Sequence, residues 1–378
     1  MYQRIIKNQI IQKFFSGKAV IIVGPRQSGK TTLSLEVVKE FEPNKRVRFF
    51  NGDNPTDRDL LNNRDLEFLK GLVAEADIIV IDEGQKIETI GQTVKLLVDY
   101  YKEIKQVLVT GSSSINLLEK TSETLAGRKH VFSLCPLSLE EHYPDRDQAL
   151  MLRELESVLL FGSYPEIASK ESFSDKIAIL KDLHASSLYR DLLEFQEVKG
   201  SITINQLVKA LALQIGSEVS SSELARTVGI DKKTVDRYLD LLEKSFVIFR
   251  LPPFTSNKRR EIAKLKKVYF YDVGIRNTVI SNFNPLRDRN DAGALWENFV
   301  VAERMKYRAY HSIYANQYFW RTYDGSEVDL VEEREGKLFG YECKWNAESK
   351  KRAPRSWIEI GNASFSVVTP HELKGFLW

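Results

Sequence analysis

The sequence predicts an α/β protein, and three observations carry the prediction. Short apolar runs rich in β-branched residues recur through the first third of the chain: Ala19-Val20-Ile21-Ile22-Val23, Ile78-Ile79-Val80-Ile81 and Val107-Leu108-Val109. Such runs read as strands buried on both faces of a parallel sheet. Helical spacing follows the first of them, over residues 32–40. Between that strand and that helix stands Gly24-Pro25-Arg26-Gln27-Ser28-Gly29-Lys30-Thr31, which fits G-x-x-x-x-G-K-[ST] at every fixed position. Strand, glycine loop and helix form the context this phosphate-binding motif needs.

The elements follow in order. The two glycines let the backbone of residues 24–32, Thr32 included, turn its available N–H groups towards a polyphosphate, and the helix start adds partial positive charge. Lys30 is expected to reach the β- and γ-phosphates and the Thr31 hydroxyl to bind Mg²⁺. The second apolar run closes on Asp82-Glu83. Ligands sit at the carboxyl ends of strands in open α/β sheets. Asp82 is therefore expected in the Mg²⁺ shell, with Glu83 orienting or deprotonating the attacking water. The next strand ends in Thr110-Gly111-Ser112-Ser113-Ser114, where Thr110 or Ser112 could sense the γ-phosphate. From Glu140 to about Lys199 the pattern turns helical.

Residues 202–251 read as a separate unit. A helix covers residues 204–215, and Ser220-Ser221-Ser222-Glu223 has capping-box spacing. A short helix ends at Gly229, a second runs to Lys244, and the β-type run Phe246-Val247-Ile248-Phe249-Arg250-Leu251 follows. Helix, glycine turn, helix and strand make a winged helix-turn-helix signature. Lys232, Lys233, Thr234 and Arg237 lie where base or phosphate contacts would fall; a structural or protein-contacting module is the alternative. Pro252-Pro253 reads as a boundary, and Asn257-Lys258-Arg259-Arg260 adds local positive charge. Beyond it, a helix carries Glu297, Asp324-Gly325 marks a hairpin whose returning strand carries Asp329, and a later strand carries Glu342 and Lys344 on one face. The basic residues Lys350, Lys351, Arg352 and Arg355 follow.

Gly24 to Thr31, Ile79 to Glu83 with Gln85-Lys86, the Thr110 to Ser114 run and Leu125-Ala126-Gly127-Arg128 together resemble one prokaryotic AAA-type ATPase family. In that family the ATPase precedes a C-terminal region first catalogued as a domain of unknown function. Pro136 to Glu141, Phe161 to Glu166 and Tyr269 to Arg276 resemble it too. The resemblance implies ATP as the nucleotide, a helical lid after the ATPase core, and a phosphate-sensing arginine at Arg128, acting in its own subunit or in a neighbour's. Helix Glu, strand Asp and Glu-x-Lys stand in the order of the PD-(D/E)XK nucleases. That likeness implies Asp329 and Glu342 as metal ligands, Glu297 as an auxiliary acid and Lys344 as the catalytic lysine, the metal stabilising charge on a scissile phosphate.

The expected division is an ATPase core over residues 1–135, a helical lid over 136–200, a winged helix-turn-helix over 201–255 and a nuclease-like α/β domain over 256–378. At 43% hydrophobic and 28% charged, the chain is excluded from the wholly disordered class. A net charge of +3 leaves nucleic-acid binding to local patches. Two cysteines, Cys135 and Cys343, support neither a disulfide framework nor a zinc cluster. Neither a signal peptide nor an 18-residue apolar run is legible, so a cytoplasmic protein without a membrane span is expected. The functional expectation is an ATPase that binds DNA and cleaves it under ATP control. The alternative is an ATP-driven switch or scaffold on a protein partner, with an inactive nuclease fold; homo-oligomers fit either. A small-molecule kinase would use the same loop, but no acceptor-binding constellation is legible.

Overall fold

The computed structural model describes residues 2–112, 121, 124–145, 147–193, 201–255, 265–346 and 352–377. The chain divides into two compact units: Met1–Pro136 with Lys244–Phe246, and Leu137–Glu243 with Val247–Trp378. The Asn257 to Arg260 cluster, Lys350, Lys351, Ser113 and Ser114 lie outside the described residues.

The first unit is a parallel sheet of β1 (Ala19–Val23), β2 (Val47–Asn51), β3 (Ile78–Asp82), β4 (Gln106–Gly111) and β5 (Lys129–Ser133), ordered β2-β3-β4-β1-β5. Every residue of β1 and β4 is buried. The helices Lys30–Lys39 and Ile90–Tyr101 turn Leu33, Val37, Val94 and Leu97 inward, which satisfies strands with no polar face. The sequence pattern reveals the three central strands and misses the two outer ones. β2 and β5 carry exposed and half-buried residues at most positions, so neither presents a continuous apolar run.

In the second unit the helices Gln148–Phe161, Phe173–Leu193 and Ser201–Leu213 precede a small antiparallel sheet. That sheet is β6 (Glu218–Val219), β7 (Ile248–Leu251) and β8 (Lys266–Phe270), in the order β6-β8-β7. The helices Ser221–Val228 and Lys232–Lys244 lie between β6 and β7 in the chain. Ser220 caps the first of them, accepting from the Glu223 amide at 3.4 Å. The helices Val273–Val279 and Ala292–Tyr310 lead into a four-stranded sheet of β9 (Asn316–Arg321), β10 (Glu327–Arg334), β11 (Lys337–Cys343) and β12 (Ala363–Val368). Its order is β12-β11-β10-β9; β9, β10 and β11 run antiparallel, and β12 lies parallel to β11.

The divisions expected near residues 200 and 255 fall inside this second unit. One apolar core runs through it, joining Leu159, Leu211, Leu242, Phe270, Trp296 and Leu330. Pro252-Pro253 is not a linker. The Pro252 carbonyl accepts from Phe319 N at 3.0 Å, and Phe254 N donates to Phe319 O at 2.6 Å. Proline lacks an N–H but keeps its carbonyl, so an extended proline segment can lie along β9.

Two short runs that sequence alone left unexplained meet here. Asp272 caps the helix Val273–Val279, its Oδ1 accepting from Gly274 N at 2.9 Å and Ile275 N at 3.1 Å. Its Oδ2 accepts from Ser163 N at 2.8 Å. Gly162 has φ +74°, and a Cβ there would collide with the Asp272 carboxylate. Among the described residues, no helix is long and apolar enough to cross a membrane.

Candidate nucleotide site and C-terminal ion-pair centre

β1 ends at Val23, and the chain turns through the glycine loop into the helix Lys30–Lys39. The close turn needs Gly24, where a Cβ would collide with the Leu134 carbonyl. Pro25 and Ser28 are buried, Arg26 is half-buried, and Gln27 is exposed with φ +58°. Gly29 sits at the helix start with φ +95°, and Thr31 and Thr32 face outward in the first turn. Lys30 folds back over the loop, its Nζ donating to Gly24 O at 3.0 Å and Pro25 O at 2.8 Å. Arg4, which sequence reasoning missed, braces the loop from outside. Its guanidinium donates to Ser28 O at 2.8 Å and Cys135 O at 2.6 Å. A lone arginine near residue 1 carries no motif, so nothing in the sequence marks it.

Parallel register brings the acidic run to the same end of the sheet. Ile22 stands opposite Thr110 and Val23 opposite Gly111, and β4 is flanked on its other side by β3. Thr31 Oγ1 donates to Asp82 Oδ2 at 2.9 Å and Oδ1 at 3.2 Å, and the Thr110 hydroxyl also donates to Asp82. Glu83 has φ +49°, and its N–H donates to Thr110 Oγ1 at 3.3 Å. The Gln85 amide nitrogen donates to the Glu83 carboxylate and to Ser112 Oγ at 2.9 Å, and Ser112 Oγ lies 3.4 Å from the same carboxylate. Thr110 and Ser112 therefore both adjoin the acidic pair. In the sequence Gln85 stands out only through a family resemblance; its grip on Glu83 is visible only in three dimensions.

Arg128 is the predicted site residue that the first unit does not bring to the loop. Its carbonyl accepts from Ala19 N at 2.9 Å, at the start of β1, whereas the loop follows the end of β1. Five residues of strand separate the two edges, roughly 15 Å. Its guanidinium pairs instead with Asp99. Of the two placements left open for Arg128, this geometry sets its guanidinium away from its own chain's loop.

The second unit gathers Glu297, Asp329, Glu342 and Lys344, and adds a residue that sequence reasoning missed. Antiparallel pairing of Leu330 with Tyr341 sets Asp329 beside the end of β11, where its Oδ2 accepts from Cys343 N at 2.8 Å. Lys344 Nζ lies 2.9 Å from Glu342 Oε1. Lys267, on β8, is 3% exposed. Its Nζ contacts Glu297 Oε1 at 3.0 Å and Asp329 Oδ1 at 3.7 Å and also pairs with Glu327. Tyr269 OH donates to Glu297 Oε1 at 2.6 Å. The signal was a lysine within the strand Lys266-Lys267-Val268-Tyr269-Phe270, two residues from Tyr269 and so on its face.

Burial pushes the Asp329 carboxyl up to about 8, aided by the neighbouring Glu297 charge and opposed by Lys267. Burial works against the Lys267 charge, but Glu297, Asp329 and Glu327 outweigh it and raise its pKa. For Lys344, burial likewise opposes the charge and the Glu342 hydrogen bond prevails, again raising it. No group of three or more His, Cys, Asp or Glu among the described residues is arranged to hold a metal ion.

The sequence matches an AAA domain over residues 16–143, a domain of unknown function (DUF8612) over 152–286 and another (DUF4143) over 292–372. An uncharacterized protein Rv2008c of Mycobacterium tuberculosis is 30% identical over 357 residues, covering 93% of this chain and 76% of the relative. The uncharacterized protein MJ1544 of Methanocaldococcus jannaschii is 24% identical over 397 residues, covering 99% of this chain and 86% of that protein. AMPPCP-bound DnaA from Aquifex aeolicus aligns with 64% of this chain and 86% of its own, at 13% identity and a TM-score of 0.29, a likeness too slight to bear on function. The AAA match covers the loop and the acidic strand end, and the C-terminal match is to a domain of unknown function rather than to a nuclease. The chain belongs to the family of the mycobacterial protein Rv2008c, with an AAA domain ahead of two domains of unknown function.

Proposed function

We propose that this chain is an ATP-hydrolysing switch that binds DNA, with the C-terminal domain making contacts rather than cuts. The observation that carries the ATPase reading is the meeting of Lys30, Thr31, Asp82, Glu83 and Thr110 at one end of the sheet. Lys30 would exchange its bonds to Gly24 and Pro25 for phosphate oxygens. Thr31 and Asp82, already 2.9 Å apart, fit as holders of Mg²⁺, which when bound would neutralise charge on the phosphates. Glu83 would orient the attacking water, fixed by Gln85 and Ser112. Arg128, being remote from its own loop, suits contact with a second copy. Cys135 and Cys343 are buried, unbridged thiols, as suits a reducing cytoplasm. Lys30→Ala is expected to cut ATP hydrolysis by at least about 100-fold, because phosphoryl transfer rests on positioning and charge. Unchanged turnover in that variant would sink the reading.

The DNA reading is supported by the helix Lys232–Lys244 and its β6-β8-β7 sheet, which have the order of a winged helix. Lys232, Lys233 and Arg237 are exposed, while Val235, Tyr238, Leu239 and Leu242 are buried. The competing reading, metal-dependent DNA cleavage, rests on the nuclease-like order of Glu297, Asp329, Glu342 and Lys344 in the sequence. Loss of Mg²⁺- or Mn²⁺-dependent cleavage of linear or supercoiled DNA in Lys344→Ala would establish it. An ATP-driven scaffold on a protein partner is the outcome if neither DNA binding nor cleavage is found.

A further inference from the structure

We infer that Lys267 is the resident cation of the C-terminal carboxylate centre, so that this centre takes no divalent metal ion and serves as a junction between the small three-stranded sheet and the C-terminal sheet. The inference rests on which elements the ammonium joins. Lys267 belongs to β8, Glu297 to the helix Ala292–Tyr310, and Glu327 and Asp329 to β10. One Nζ reaches all three acids, and Tyr269, also from β8, donates to Glu297. The remaining oxygen of Asp329 is held by the Cys343 amide of β11 at 2.8 Å.

A divalent ion in such a centre would need Asp329 and Glu342 turned towards one point. Here Asp329 faces the Lys267 ammonium and Glu342 faces the Lys344 ammonium at 2.9 Å. Both acids are almost wholly buried, at 7% and 2% exposure. A metal ion on Asp329 would have to stand beside the Lys267 ammonium, on a side chain only 4% exposed and outside the helix-Glu, strand-Asp, Glu-x-Lys set. Like charges at such distances in a buried setting repel strongly. The residues therefore do not fit the metal that a nuclease centre requires. They do fit a lock: a buried ammonium paired with Glu297 and Glu327 and packed against Asp329 is costly to separate from its partners, which ties β8 to β10 through side chains.

The test uses the nucleotide-free full chain carrying Asp82→Asn, which removes the phosphate-loop carboxylate. Mn²⁺ alone is titrated and followed by electron paramagnetic resonance. No saturable uptake is expected, and adding Asp329→Asn should change nothing. Lys267→Met should lower the melting temperature by roughly 10 °C, should acquire Mn²⁺ uptake, and should recover stability as Mn²⁺ is added. Saturable Mn²⁺ binding with Lys267 in place, lost in Asp329→Asn or Glu342→Gln, would overturn the inference. So would a folded Lys267→Met chain that takes up no Mn²⁺ and melts as before. If Lys267→Met does not fold, the comparison of the Lys267 chain with Asp329→Asn decides the matter unaided. ATP hydrolysis enters none of these readouts, so failure here leaves the nucleotide site untouched.

Discussion

Glu83 owes its orientation to neighbours on two elements. Its backbone is in the left-handed region at φ +49°, a conformation that costs a non-glycine residue on the order of 1 kcal/mol. Its carboxylate is held by the Gln85 amide and the Ser112 hydroxyl. Gln85→Ala should lower kcat about 10-fold and leave nucleotide affinity unchanged, since the amide touches the water-orienting acid and not the phosphate loop. Equal losses in affinity and turnover, measured by nucleotide titration and steady-state kinetics, would show that Gln85 serves folding alone. A second residue reports through pH. Burial pushes the His142 imidazole down to about 4. A group depressed in the folded state contributes stability above its unfolded pKa, near 6.5, and loses it as pH falls towards the folded value. Stability should therefore decline between pH 6.5 and 4, by about 2 kcal/mol at pH 5. Replacing His142 by Gln should flatten that decline in denaturant titrations; an unchanged slope would assign it to other groups.

At the scale of elements, legibility followed burial. β1, β3 and β4 are buried on both faces, and their apolar runs announced them; β2 and β5 are sheet edges with mixed polarity and did not. The helices around residues 148–161 and 292–310 were visible from spacing, and the Asp324-Gly325 turn predicted the β9–β10 hairpin. What spacing could not reveal was that Phe161-Gly162-Ser163 and Tyr271-Asp272-Val273 form one contact. Gly162→Ala is expected to destabilise the second unit by about 3 kcal/mol. The methyl group meets the Asp272 carboxylate at a positive φ and disturbs a helix cap at the same time. Chemical denaturation of the two proteins measures this, and a loss below about 1 kcal/mol would mean that the cap relaxes freely.

For the whole molecule, the AAA domain is readable in the sequence, while residues 200 and 255 both lie within one unit with a continuous core. The consequence for function is that a DNA contact at the helix Lys232–Lys244 would belong to the same folded body as the C-terminal sheet. Lys232→Ala, Lys233→Ala and Arg237→Ala should each weaken DNA binding and each reduce the salt dependence by about one phosphate contact. Binding that shows no salt dependence, or that survives all three changes together, would move the interpretation to a protein-binding scaffold. The sequence by itself determined the phosphate loop, Asp82 with Glu83, and the central strands, because each is written in a single local stretch whose spacing enforces its geometry. Only the tertiary structure decided that Arg128 lies at the far edge of its own sheet, that Gln85 and Arg4 brace the loop and its acid, and that Lys267 stands among Glu297, Glu327 and Asp329. Those arrangements bring together residues from different elements, or depend on which end of a sheet a residue reaches, and no local pattern specifies either.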